Sequence, residues 1–245
     1  MRNFITCLEF LTRIRFSNRT TWNNDDFSKS VPYFPIVGLI IGVFMALVNY
    51  GLVYIETPTM LRAAIIFLSE IIITGGLMYD GFMDTSDGIF SARDREKMLV
   101  IMKDSCVGAN AVLAMIVLTL LKITAYSEID SVRLSYALIA MAVSTRTFMV
   151  LYIINFKYAR KTGIGHMFKE FSKPSYTIIS FAIGAILLYF IGMEYLFIAL
   201  ITLIICIIIA KYISNLLGGL TGDTYGALTE VGNTVFLLIT YYILR

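Results

Sequence analysis

The sequence predicts an all-α protein, a multi-pass integral membrane bundle of about seven helices with its N-terminus on the cytoplasmic side. Three observations predict it. Of 245 residues, 58% are hydrophobic and 15% charged, against about 25% charged in soluble domains. The apolar residues cluster: Val31 to Ile55 is a run of 25 residues without a charge, and a helix needs about 20 to cross the hydrocarbon core. The basic residues then collect on one side of the alternating spans.

Taken in order, residues 1–30 form a polar N-terminal segment with no signal-peptide pattern before it. Phe4, Leu8 and Leu11 recur at helical spacing with Ile5 beside them, and Glu9 and Arg13 form an i,i+4 pair. This pattern suits an amphipathic helix at the cytoplasmic interface, with a flexible basic tail as the alternative. The apolar runs place spans at 31–55, 61–79, 108–127, 133–154, 176–192, 195–213 and 232–244, the last short. The outer connections, 56–60, 128–132 and 193–194, are brief, while 80–106, 155–175 and 214–231 are longer and polar. With the N-terminus inside, the inner segments hold Arg13, Arg15, Arg19, Arg93, Arg95, Lys103, Lys157, Arg160 and Lys161, and the outer ones hold only Arg62, Arg133 and Arg245. That bias orients the chain. One membrane domain, 1–245, is expected, with its working surface on the cytoplasmic face.

Composition also excludes. The net charge of +3 is accounted for by the inside bias and implies no nucleic-acid partner. Cys7, Cys106 and Cys206 form no CxxC, and His166 is the only histidine, so neither a disulfide nor a zinc centre is expected.

The chemistry gathers in "MYDGFMDTSDGIFSARDREK", residues 78–97. Read as a helix continuing through 75–88, it puts Asp80, Asp84 and Asp87 within about a 60° arc and about 10 Å of axis. Three carboxylates on one face near lipid repel one another unless a cation joins them. Mg²⁺ suits them, because it takes carboxylate oxygens and keeps positions for water and phosphate. Gly75, Gly76, Gly81 and Gly88 each cost a helix about 1 kcal/mol against alanine, and such small residues allow close helix packing and close approach of a phosphate. Arg93, Arg95 and Lys103 follow as candidate clamps for phosphate oxygens, and Asp104 as a fourth acid. As a helix end wetted by water, the stretch would explain a single carboxylate but not three on one face.

A second acidic stretch, "GGLTGDTYGALTE", holds Asp223 and Glu230 seven residues apart, again on one helical face. Helix packing explains its glycines but not Asp223. Within the spans, Arg146 and Glu70 either pair with each other, or Arg146 reaches the phosphates, where its bidentate geometry is suited. The second role is favoured here. Lys122 is read as snorkelling or paired.

These residues carry a resemblance. "YFPIVGLIIG", "GGLMYDGFMDTSDGIFSARDREKMLVIMKDSCVGA", "STR", "YARKTGIG" and "GGLTGDTYGALTE" resemble, in order, the cobalamin 5′-phosphate synthase family. The likeness runs from about residue 4 to 231. It departs where Phe10 to Arg13 are followed by Ile14 and Arg15 rather than by a proline. The resemblance implies a transferase in the bacterial inner membrane that joins α-ribazole, or its 5′-phosphate, to adenosylcobinamide-GDP with release of GMP, using Mg²⁺. It implies Asp80, Asp84 and Asp87 on metal and diphosphate, and one of them or Asp104 as proton acceptor; Arg93, Lys103, Arg146, Arg160, Asp223 and Glu230 are the candidates for binding substrate. It leaves homo-oligomerisation open.

Three other readings compete. In a CDP-alcohol phosphotransferase, Asp84, Asp87 and Gly88 fit, but Ala92 and Arg93 come one residue late. A membrane prenyltransferase usually has more spans. An ion or proton transporter would string its acids along a midplane path, whereas here they gather at one face.

Overall fold

The structure is a computed structural model that describes residues 2–16, 24–170 and 172–244, the side chains of residues 24, 25 and 164 excepted. Arg19 and Arg245 of the charge reading lie outside the described residues. Twelve helices follow one another: α1 (Arg2–Leu11), α2 (Asn24–Ser30), α3 (Phe34–Tyr54), α4 (Thr59–Thr74), α5 (Leu77–Phe90), α6 (Arg95–Ile101), α7 (Ala109–Glu128), α8 (Ser131–Asn155), α9 (Ile164–Glu170), α10 (Ser175–Ile191), α11 (Met193–Leu217) and α12 (Gly222–Ile243).

Among the described residues, four stretches are long and apolar enough to cross a membrane: Asp26–Tyr54, Ala109–Glu128, Ser131–Asn155 and Met193–Leu217. The pair α4–α5 adds a fifth if it is counted as one broken span. The seven expected runs each contain a helix. By itself, however, α4 has 16 residues and α10 has 17, at the short end for a crossing, and α12 is the more polar helix.

α8 is the central post, with 83% of its apolar window buried. Its close packing with α3 is explained by Gly38 and Gly42, where an added Cβ would lie 2.4 Å from the Ala142 carbonyl oxygen and 2.5 Å from the Ile139 Cα. α7 is the opposite case. Leu113, Ile116, Val117 and Leu120 face outward, as lipid-facing residues should.

Two sequence expectations are corrected. Residues 75–88 are not one helix. Gly75 and Gly76 both adopt left-handed backbone, at φ 67° and 74°, and α5 leaves α4 at 95°. The Arg13 side chain fills the space that a Cβ on Gly75 would need, so the break is locked from outside by the segment after α1. Nor is 214–231 simply a polar connection. Residues 222–231 are the first half of α12, buried from Thr224 to Glu230 and packed on α5. The threonine hydroxyls are satisfied locally, as in Thr229 to the Tyr225 carbonyl at 2.8 Å and Thr224 to the Thr221 carbonyl at 2.9 Å.

α1 buries Cys7, Leu8 and Leu11 against the protein, which gives its apolar face a protein partner. The three long polar segments meet at one end of the bundle. Leu220 N–H donates to the Lys157 carbonyl and Ala159 N–H to the Leu220 carbonyl, both at 2.8 Å. Arg95 Nε donates to the Leu217 carbonyl at 2.7 Å. At the opposite end, the Tyr195 hydroxyl donates to the Arg133 carbonyl at 3.1 Å.

Candidate active site

The two acidic stretches touch. α5 and α12 cross where neither has a side chain: a Cβ on Gly81 would lie 2.6 Å from the Asp223 carbonyl oxygen, and one on Gly226 would lie 2.9 Å from the Met78 carbonyl oxygen. This crossing brings Asp223 near Asp80 and Asp84, and Asp80 and Asp223 both line a cavity of about 220 Å³. Asp80, Asp223, Arg160 and Tyr158 line its polar side, and Phe10, Phe34, Phe168, Met149 and Ile153 line its apolar side.

We read α5 as lying outside the spanning helices, since it turns across the bundle end. There, partial burial and then the charges of Asp80 and Asp223 push the Asp84 carboxyl up to about 6, against a smaller pull from Arg160. Arg160 Nη1 pairs with Asp223 Oδ2 at 2.7 Å. Its Nε and Nη2 are buried with no hydrogen-bond partner among the described residues. The Lys157–Leu220 pairing that holds this segment depends on Gly219, where a Cβ would meet the Lys157 carbonyl oxygen at 2.7 Å. Burial also raises the Tyr158 hydroxyl, with Arg160 pulling it down and Asp223 pushing it up.

Other sequence candidates stand elsewhere. Asp87 accepts from Gly108 N–H at 2.6 Å and Ala111 N–H at 2.8 Å, so both its oxygens cap the start of α7. Asp104 is exposed and accepts from Cys106 N–H at 3.0 Å, a local turn. Arg93 and Lys103 are exposed and do not line the cavity.

Arg146 and Glu230 are buried in the bundle, away from the cavity lining. Lys122 Nζ donates to Glu70 Oε2 at 2.7 Å, to the Tyr79 hydroxyl at 2.7 Å and to Glu230 Oε2 at 2.9 Å. Tyr79 and Tyr126 donate to Glu70 Oε2 at 2.9 and 3.0 Å. Arg146 Nη1 donates to Thr145 Oγ1 at 3.1 Å, which donates to Asn233 at 2.8 Å. Lys122 is thus the paired residue of that reading, and Glu70 bonds to it rather than to Arg146.

The hard carboxylate oxygens of Asp80, Asp84 and Asp223, gathered with one arginine among them, fit Mg²⁺. Among the described residues, no three His, Cys, Asp or Glu side chains form a cage of their own. An ion here would therefore need substrate phosphate and water to complete its coordination.

The family model for cobalamin-5-phosphate synthase matches residues 3–241. The chain belongs to the cobalamin-5-phosphate synthase family. A relative from Clostridium novyi (strain NT) is 37% identical over 243 residues, covering 97% of this chain and 96% of the relative. One from Desulforamulus reducens is 39% identical, covering 95% and 94%. One from Clostridium acetobutylicum is 34% identical, covering 99% and 97%. All three are described as adenosylcobinamide-GDP ribazoletransferase. No solved structure matches.

In this member of the cobalamin-5-phosphate synthase family, sequence reasoning missed the aromatic wall and the two tyrosines of the cavity. Tyr158 and Tyr225 sit beside recognised residues, in "YAR" and "GDTYG", and that adjacency was the available signal. Phe10, Phe34 and Phe168 come from three distant segments, and nothing local joins them.

Proposed function

We propose that the chain is an adenosylcobinamide-GDP ribazoletransferase. The supporting observation is the crossing at Gly81 and Gly226, which sets Asp80 and Asp84 against Asp223, with Arg160 beside them holding two unpaired donors. A phosphoryl-transfer centre needs such a combination of oxygen donors and cationic clamp. The 3′-hydroxyl of α-ribazole, or of its 5′-phosphate, attacks the cobinamide-proximal phosphorus. The new O–P bond forms as the bond to GMP breaks, and GMP leaves with the electron pair.

Mg²⁺, when bound by Asp80 and Asp84, supplies charge stabilisation for the transferring phosphoryl group. Arg160 Nε and Nη2 point donors at phosphate oxygens. Asp223 holds Arg160 in that orientation. The hydroxyl proton passes to a carboxylate at the cavity edge, where Asp80, Asp84 and Asp223 stand. In the same reading α4, α10 and α12 join the four long stretches to make about seven crossings of a bacterial inner membrane. The basic bias puts the polar end in the cytoplasm. Labelling of a cysteine at position 94 only from outside would reverse that orientation.

The test is release of GMP by the purified protein given adenosylcobinamide-GDP, α-ribazole and Mg²⁺. Turnover that needs all three is expected. Absence of GMP from a folded, membrane-inserted preparation overturns the reading.

A further inference from the structure

The Tyr225 side chain is 4% exposed and lines the cavity, yet its hydroxyl has no hydrogen-bond partner among the described residues. A buried orphan hydroxyl is uncommon enough to need a reason. Its ring stands 6.5 Å from that of Tyr158. Also lining the cavity, Phe168 packs edge-on to Phe10 at 5.0 Å and to Phe34 at 5.7 Å, which forms an aromatic wall.

Resting on the transferase reading, we propose that this cavity holds the acceptor nucleoside, its planar base against Phe10, Phe34 and Phe168 and its free polar edge on the Tyr225 hydroxyl. The large donor, adenosylcobinamide-GDP, brings only its diphosphate to the rim at Asp80, Asp223 and Arg160.

Two arguments choose this occupant. The first is size. A cavity of about 220 Å³ lies below the roughly 300–1,000 Å³ that drug-sized ligands take. The corrinoid donor cannot enter it whole, whereas the base and part of the sugar of a nucleoside can.

The second is polarity, because the donor also carries a planar base. Guanine has several donors and acceptors around its edge, and a wall of phenylalanines would leave most of them unpaired at a cost. A benzimidazole base joined to ribose keeps one ring nitrogen free. One hydroxyl, Tyr225, can satisfy it by donating. Stacking on aromatic side chains is tolerant of base identity, so the hydroxyl is the discriminating contact. The sugar then projects towards the carboxylates, where its hydroxyl must react.

The experiment uses the full-length protein in nanodiscs with two variants, Tyr225→Phe and Phe168→Leu. GMP release is measured with each substrate varied in turn, and α-ribazole binding alone is measured by calorimetry. Loss of the hydroxyl should raise both the KM and the Kd for α-ribazole about fivefold to tenfold, the effect of one neutral hydrogen bond. The KM for adenosylcobinamide-GDP should not move. Phe168→Leu should weaken α-ribazole in the same selective way, and GMP should not displace α-ribazole.

The proposal is overturned if the donor's KM rises instead, if GMP competes for the cavity, or if Tyr225→Phe leaves both substrates unaffected. Failure of the wild type to release GMP would count against the transferase reading alone. Calorimetry on α-ribazole still decides the cavity in that case, since a nucleoside that does not bind the wild type overturns this assignment by itself.

Discussion

Replacing Gly81 with alanine adds one methyl group at the crossing of the two acidic helices. The methyl carbon would lie 2.6 Å from the Asp223 carbonyl oxygen and 3.0 Å from its Cα. Both are backbone atoms at the start of a helix, so neither can rotate away. Reaching ordinary contact at 3.4 Å means opening the crossing by about 0.8 Å. That displacement separates Asp80 and Asp84 from Asp223 and Arg160. A misplacement of about 1 Å can lower turnover about 10²-fold, while overpacking of this kind costs about 1–3 kcal/mol of stability.

The Gly81 site thus predicts a folded, inserted protein with about one-hundredth of the GMP release. Gly226→Ala, facing the Met78 carbonyl oxygen at 2.9 Å, should give the same defect in milder form. Gly51→Ala has nothing within 4 Å of the added carbon and serves as the control at wild-type rate. The assay is steady-state GMP release beside thermal unfolding in the same detergent. Wild-type turnover by Gly81→Ala at unchanged Tm would refute the idea that the crossing sets the reactive geometry.

Three further outcomes are expected. Asp84→Asn keeps the size of the side chain and removes its charge, so GMP release should fall by about 10²–10³-fold, a few kcal/mol of barrier, with normal insertion; an unchanged Mg²⁺ dependence at wild-type rate would remove it from the centre. Asp87→Ala should act through stability instead, costing about 1–2 kcal/mol as the start of α7 loses its cap, which unfolding measurements should show as a lower Tm; a loss of turnover as deep as that of Asp84→Asn at an unaltered Tm would return Asp87 to the chemistry. Lys122→Met strands two buried carboxylates and should destabilise by about 3–5 kcal/mol, while adding Glu230→Gln should recover part of this; thermal unfolding of the single and double variants checks both.

Much of this was legible from local pattern. The charge-free run at 31–55 became the continuous Asp26–Tyr54 stretch, because length and apolarity are properties of the segment alone. That the two acidic stretches lie at one polar end was legible for a related reason, the alternation of spans and the basic bias, but not that Asp223 stands beside Asp80 and Asp84. What sequence could not show was how single carboxylates are used. Asp80, Asp84 and Asp87 share a helical face on paper, yet Asp87 turns to amides at Gly108 and Ala111, 21 and 24 residues away. No periodicity encodes such a tertiary cap. The helix break at Gly75 was likewise hidden, since glycine is tolerated within a helix and only the Arg13 side chain explains why it bends here.

Two polar clusters lie in this bundle, and their difference separates structure from function. Glu70, Glu230, Lys122 and Arg146 are each at most 1% exposed. Two carboxylates meet two cations, joined by tyrosines, Asn233 and Thr145. Their formal charges cancel, so the cluster can sit in the core without a further ion. It reaches α4, α5, α7, α8 and α12, and it fixes Tyr79 immediately before Asp80. Around the cavity the balance is different. Asp80, Asp84 and Asp223 face one arginine, and two of that arginine's donors remain unpaired. Full ionisation leaves this group with excess negative charge beside an orphan cationic fork. A cation and a phosphate together resolve both deficits, whereas neither does so alone. The buried cluster is charge-balanced as folded, although Arg146 Nε finds no partner among the described residues, whereas the group at the cavity lacks that balance and is the one of the two open to ligands of both signs.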